Sequence, residues 1–128
     1  MENKKFLIDT CLIIDYLRKK DKKSTLLFEL VQNNQLYLSA ISYFELFIGA
    51  SNQSKKNDIL LLLDYLYILP FNEVTADKAS WLHLSLKKRN QLIDIKDLFI
   101  ASTALVNYLP IVTFNKSHFE RIEGLEVI

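Results

Sequence analysis

Four stretches of this chain place oxygen-bearing side chains where a purely structural domain has little use for them. In "FLIDT", Asp9 follows a short apolar run directly and Thr10 comes next. In "SAISYFELFIGA", Glu45 has Phe44, Leu46 and other apolar residues as its neighbours. "IDIKDLFIASTAL" holds Asp94 and Asp97, and "IVTFNKSHF" brings Thr113 and Asn115 to the end of another apolar run. Each has an ordinary explanation. Asp9 and Asp94 can cap the helices that follow them, Asp97 can sit in a first turn favoured by the helix dipole, and Asn115 can form a turn. Glu45 fits its ordinary role least well, because a solvated face contains more than one polar position. A carboxylate lodged among aromatics needs a cation, a donor or a metal.

Carboxylates with so few other ligands suit a hard divalent cation such as Mg²⁺, which takes oxygen donors, water and substrate phosphates. Zn²⁺ asks for imidazole and thiolate, and the chain has two His and one Cys. His83 and His118 read as hydrogen-bonded or exposed side chains. The only glycines, Gly49 and Gly124, make no phosphate-cradling loop, and no nucleophile-elbow pattern is present. Acidic residues without those partners fit metal-assisted hydrolysis of a phosphodiester.

Short apolar runs alternating with helical stretches must position these groups. Strands are expected at Phe6–Ile8, Leu36–Leu38, Ile68–Pro70 and Ile111–Thr113, with a possible fifth at Leu125–Ile128. The helical pattern covers Cys11–Arg18, a segment capped by Ser24 or Thr25 and reaching Gln32, and a segment capped by Ser39 or Ser42 that ends at Gly49. It resumes over Asp58–Leu66, from Thr75 to about Arg89, and over Ile95–Asn107, with polar Ser51–Lys56 as a loop. This order predicts an α/β fold, a three-layer α/β/α sandwich around a parallel sheet of four or five strands. Functional groups then gather beyond the carboxyl ends of the strands, where Asp9 and Asn115 fall.

The chain has 128 residues, half of them hydrophobic, which is enough for one folded domain spanning 1–128. A net charge of +1 argues against a histone-like nucleic-acid binder but allows local basic faces. Such clusters occur at Arg18–Lys23, Lys55–Lys56 and Lys87–Arg89. The lone Cys11 gives no intramolecular disulfide. No export signal is evident, since Asp9 and Asp15 interrupt the first apolar stretch. The most apolar segment, Ile59 to Leu69, is too short to span a bilayer. A cytoplasmic protein with no membrane partner is expected.

Taken in order, "FLIDTCLIIDYL", "LSAISYFELFIGA", "DLFIASTAL" and "LPIVTFNKSHFERIEGLEVI" resemble a PIN domain, specifically the VapC-type toxin ribonucleases of bacterial toxin–antitoxin systems. The resemblance covers essentially the whole chain. It implies an endoribonuclease dependent on Mg²⁺ or Mn²⁺, acting on tRNA, rRNA or mRNA to leave 5′-phosphate and 3′-hydroxyl ends. It also implies a cognate antitoxin that occludes the site, and a homodimer. Carried over by motif, the family's acidic ligands fall on Asp9, Glu45 and Asp97 rather than Asp94, and Asn115 stands at the fourth acidic position. Thr10, Asp94 and Thr113 would support the ligands. Cys11 departs from the small polar residue that often follows the Asp-Thr pair. Tyr43, Phe47 and the Asp58–Leu66 helix offer apolar side chains for an antitoxin helix, unless they belong to the core. A receiver domain would need an acidic pair after the first strand, and an Asp-x-Asp phosphohydrolase would need Asp where Cys11 stands. A PIN-like module that binds RNA or antitoxin but cleaves weakly is the alternative that Asn115 leaves open.

Overall fold

The computed structural model describes residues 3–128. Four parallel strands, β1 (Lys5–Ile8), β2 (Gln35–Ser39), β3 (Tyr67–Leu69) and β4 (Ile111–Val112), form one sheet in the order β3-β2-β1-β4. Central β1 pairs Leu7 with Tyr37 on one side and with Ile111 on the other. Buried on both faces, it reads as an unbroken apolar run, as expected for a covered parallel strand.

Side-chain alternation along β1 divides the core in two. Phe6 and Ile8 pack with Leu12 and Ile13 of helix α1 (Thr10–Arg18), Leu27 and Leu30 of α2 (Leu26–Asn33), and Ile59 and Leu62 of α4 (Gln53–Leu63). Leu7 points the opposite way, toward Leu82 and Leu86 of α5 (Glu73–Lys88) and Leu98, Ala101 and Ala104 of α6 (Ile95–Val106). Helix α3 (Ala40–Ile48) contributes Leu46 to the first layer and Ile41 to the second, so it bridges them above β2. The result is the expected α/β/α sandwich. The small buried residues of α6 let it lie close against the sheet, and Ser102 and Thr103 turn their hydroxyls back onto the Leu98 and Phe99 carbonyls.

Local chemistry fixes the helix starts. Thr25, not Ser24, caps α2 by accepting the Phe28 N–H, and Ser39, not Ser42, caps α3. The expected loop at Ser51–Lys56 is mostly helix, because Asn52 accepts the Lys55 N–H and starts α4 at Gln53; that helix stops at Leu63 rather than Leu66. Asn72 likewise starts α5 at Glu73, two residues before Thr75. The possible fifth strand is reduced to a single parallel bridge, Ile111 to Val127, held by the Ile128 N–H on the Ile111 carbonyl at 2.8 Å. Among the described residues no helix is long and apolar enough to cross a membrane.

Candidate active site

All four strands run the same way, so their carboxyl ends share one edge, and the turns leaving β1, β2 and β4 deliver the acidic and hydroxyl groups there. Asp9 caps α1 in extended backbone, its Oδ1 accepting the Thr10 N–H at 2.8 Å. Oδ2 accepts the Thr113 hydroxyl at 2.8 Å and the Cys11 thiol at 3.5 Å. Asp9 is only 6 % exposed, and among the described residues no cation pairs with it. A buried carboxylate with neutral donors alone is an energetically incomplete arrangement.

Glu45 is held by a hydroxyl relay. Thr10 Oγ1 lies 2.9 Å from Glu45 Oε1 and 2.8 Å from Ser42 Oγ, which in turn is 3.2 Å from Ser39 Oγ. The single Thr10 hydroxyl proton is shared between Glu45 Oε1 and Ser42 Oγ, and Ser42 Oγ also accepts from the Ser39 hydroxyl. Each link polarises the next. The other oxygen, Oε2, is 3.9 Å from Lys96 Nζ.

Asp97 sits in the first turn of α6, and its Oδ2 is 3.1 Å from His118 Nδ1. Burial pushes its carboxyl above the usual carboxylate range, the charge of Asp9 pushes it further, and His118 partly offsets both. Asp97 thus feels the charge of the Asp9 carboxylate at the same edge of the sheet. Asp94 caps α6, its Oδ2 accepting the Lys96 N–H at 3.1 Å. Thr113 Oγ1 accepts the Asn115 N–H at 2.9 Å while donating to Asp9, so the strand end that carries Asn115 also braces Asp9. The Asn115 side chain is exposed and makes no described hydrogen bond.

Cys11 stitches the same two strand ends together: its sulfur accepts the Phe114 N–H at 3.5 Å and lies 3.7 Å from Thr113 Oγ1. Burial, with the neighbouring Asp9 charge, raises the Cys11 thiol above its ordinary value. The seven expected site residues thus share one edge. His118, Lys96, Ser39 and Ser42 join them without having been singled out for the site, while His83 stays on α5 and makes none of the described hydrogen bonds to it.

Two depressions open beside the carboxylates. One, of about 330 Å³, runs past Glu45 between α1, α3 and α4 and is lined by Ile14, Leu17, Leu46 and Ile59 with Arg18 and Lys55. The other, of about 240 Å³, lies beyond Asp97. Among the described residues no three His, Cys, Asp or Glu side chains are so placed that they could hold a metal ion as a group. The donor set is nevertheless all oxygen and underneutralised between Asp9 and Asp97, which fits a cation that keeps much of its water, as Mg²⁺ does.

Fold and site together define an α/β/α domain with an acidic centre at the carboxyl edge of a parallel sheet. The family profile described as PIN domain matches residues 6–125, and the chain belongs to that family. It is 32 % identical over 128 residues to Ribonuclease VapC1 of Methanocaldococcus jannaschii, covering 98 % of this chain and 88 % of that one. Among solved structures, VapBC2 of Rickettsia felis bound to a DNA fragment from its promoter superposes with a TM-score of 0.86 at 25 % identity, covering 97 % of both chains. VapBC-1 of nontypeable Haemophilus influenzae gives 0.81 at 32 % identity over 97 % of this chain and 96 % of that one.

Proposed function

We propose that this chain is an endoribonuclease, the toxin of a toxin–antitoxin pair, built as one PIN domain over residues 1–128 and acting in the cytoplasm. The observation that carries the chemical part is the buried Asp9 carboxylate, which has only neutral partners and whose charge acts on half-buried Asp97. They would hold Mg²⁺ or Mn²⁺ directly, with Glu45 completing the shell through water or orienting the attacking water. When bound, such an ion lowers the pKa of water and stabilises charge on the scissile phosphate.

The chain's own residues prepare that centre. Thr113 and the Thr10 N–H fix the Asp9 carboxylate, and Thr10 with Ser42 and Ser39 fixes Glu45. Asp94 starts α6 so that Asp97 falls in its first turn. Asn115, standing at the fourth acidic position, offers an amide carbonyl to the attacking water. Lys96 Nζ lies beside Glu45 and His118 Nδ1 beside Asp97, and these are the groups a divalent ion would displace or adjoin. Cleavage would leave 5′-phosphate and 3′-hydroxyl ends on tRNA, rRNA or mRNA.

Partners follow from the surface. Tyr43 and Ile48 on α3 and Leu60 and Leu61 on α4 are all exposed. They suit a cognate antitoxin helix laid beside the acidic centre, and a homodimer is proposed for the toxin itself. The deciding experiment is cleavage of a mixed tRNA and rRNA pool in Mg²⁺, Mn²⁺ or EDTA, with the Asp97→Asn variant alongside. Cleavage lost with EDTA and with the variant supports the nuclease. A folded protein that cuts in no metal would favour a binding module, with Asn115 the first residue to replace by Asp.

A further inference from the structure

The 240 Å³ depression beyond Asp97 has a composition that a metal centre alone does not explain. Its walls are Leu92, Ile93, Asp94, Asp97, Ser117, His118 and Arg121. Arg121 builds it: Nη1 donates to the carbonyls of Gln91 at 3.4 Å and Leu92 at 3.3 Å. Arg89 returns the tie by donating to the Arg121 carbonyl at 3.4 Å. The loop after α5 is thereby fastened to the segment after β4, and a gap between them stays open. Nη2 and Nε of Arg121 have no described protein partner, nor has Ser117 Oγ. Asp94 uses Oδ2 on the Lys96 N–H and leaves Oδ1 free. Leu92, 49 % exposed, presents an apolar face at the same rim.

A pocket for a bare anion would not include two carboxylates. One for an apolar ligand would not include an arginine, a serine and a histidine. The combination of arginine and serine donors, a free carboxylate acceptor and an apolar rim of Leu92 and Ile93 matches a ribonucleotide: phosphate against Arg121 and Ser117, ribose hydroxyl against Asp94, base edge or face against Leu92. From this geometry we propose that the depression is a nucleotide-binding subsite for the residue of single-stranded RNA next to the scissile phosphate, and that it favours ribose over deoxyribose. The proposal rests on the nuclease function above for its position along the strand, and on the pocket alone for its binding.

The test separates the two. A short fluorescein-labelled RNA and its DNA counterpart are titrated in EDTA, where nothing is cut, against the wild type, Ser117→Asp and Leu92→Ser. Neither variant touches the Asp9, Glu45 or Asp97 hydrogen bonds, and circular dichroism checks that each is folded. RNA should bind more tightly than DNA to the wild type. Ser117→Asp, which sets a charge against the phosphate, should weaken RNA binding about tenfold, and Leu92→Ser about threefold. Unchanged affinity in Ser117→Asp, or no RNA binding by the wild type, overturns the subsite. Cleavage in Mg²⁺ is scored in parallel. RNA cut with unchanged kcat/KM by Ser117→Asp removes the subsite and leaves the nuclease standing. Subsite-dependent binding without any cleavage does the reverse.

Discussion

Asp97 enters the fold at a cost. Burial and Asp9 raise its carboxyl above the ordinary 3.8, with His118 opposing them. The folded chain therefore binds that proton more tightly than the unfolded chain, so stability falls as pH rises from 3.8 through the raised folded value. In the metal-free protein, Asp97→Asn should raise the Tm at pH 7 and lose that advantage as the pH approaches 3.8, measured by thermal scans at several pH values. The same variant should cut RNA about a hundredfold more slowly or worse. More stable and less active is the signature of a group kept for chemistry. Thr113 offers the complementary case, since its hydroxyl serves both Asp9 and the Asn115 N–H. Thr113→Val should cost about 1–3 kcal/mol in urea denaturation, and Thr113→Ser should restore most of it.

At the scale of elements, caps and small residues do the positioning. Asn52→Ala should cost about 1 kcal/mol and fray the start of α4, seen as lost helicity and a lower urea midpoint. Enlarging fully buried Ala104 to Leu should cost about 1–3 kcal/mol by forcing α6 from its neighbours. The order of elements was legible because buried parallel strands are short apolar runs; Asp9 stood out at the end of one, Glu45 as a lone carboxylate among the apolar residues of α3, and Asp97 beside Asp94 at the start of α6. Two helix starts were not. Polar Ser51–Lys56 resembles a loop until Asn52 is seen capping it, and Glu73 and Val74 precede the apolar pattern of α5. His118 and Lys96 were illegible as site residues for another reason. Their partners lie 21 and 51 residues away in sequence, across turns whose geometry no local pattern encodes.

For the molecule as a whole, the metal binding proposed for the acidic edge predicts a stability that depends on divalent ions. Binding to the folded state alone adds about 2.7 kcal/mol at a hundred times the dissociation constant. Millimolar Mg²⁺ or Mn²⁺ should therefore raise the Tm of the wild type, EDTA should reverse the rise, and Asp9→Asn should abolish it. One depression borders Glu45 and is mostly apolar, and the other borders Asp97 and is mostly polar. A partner helix and a nucleotide can thus be distinguished by which variants disturb them. Light scattering of the chain with and without its cognate antitoxin should show a dimer mass that increases on mixing.

Cys11 adds a chemical vantage point. It is the chain's one thiol, and its sulfur lies 3.5 Å from Asp9 Oδ2 and takes the Phe114 N–H. Since the thiolate is the nucleophile and the Cys11 thiol is held protonated, alkylation by iodoacetamide should be slow at neutral pH and accelerate in alkali. The single modification site makes the kinetics simple to follow by mass spectrometry. Whatever loosens the junction of β1 and β4 should hasten labelling, so the thiol serves as a built-in clock for how often the acidic edge comes apart.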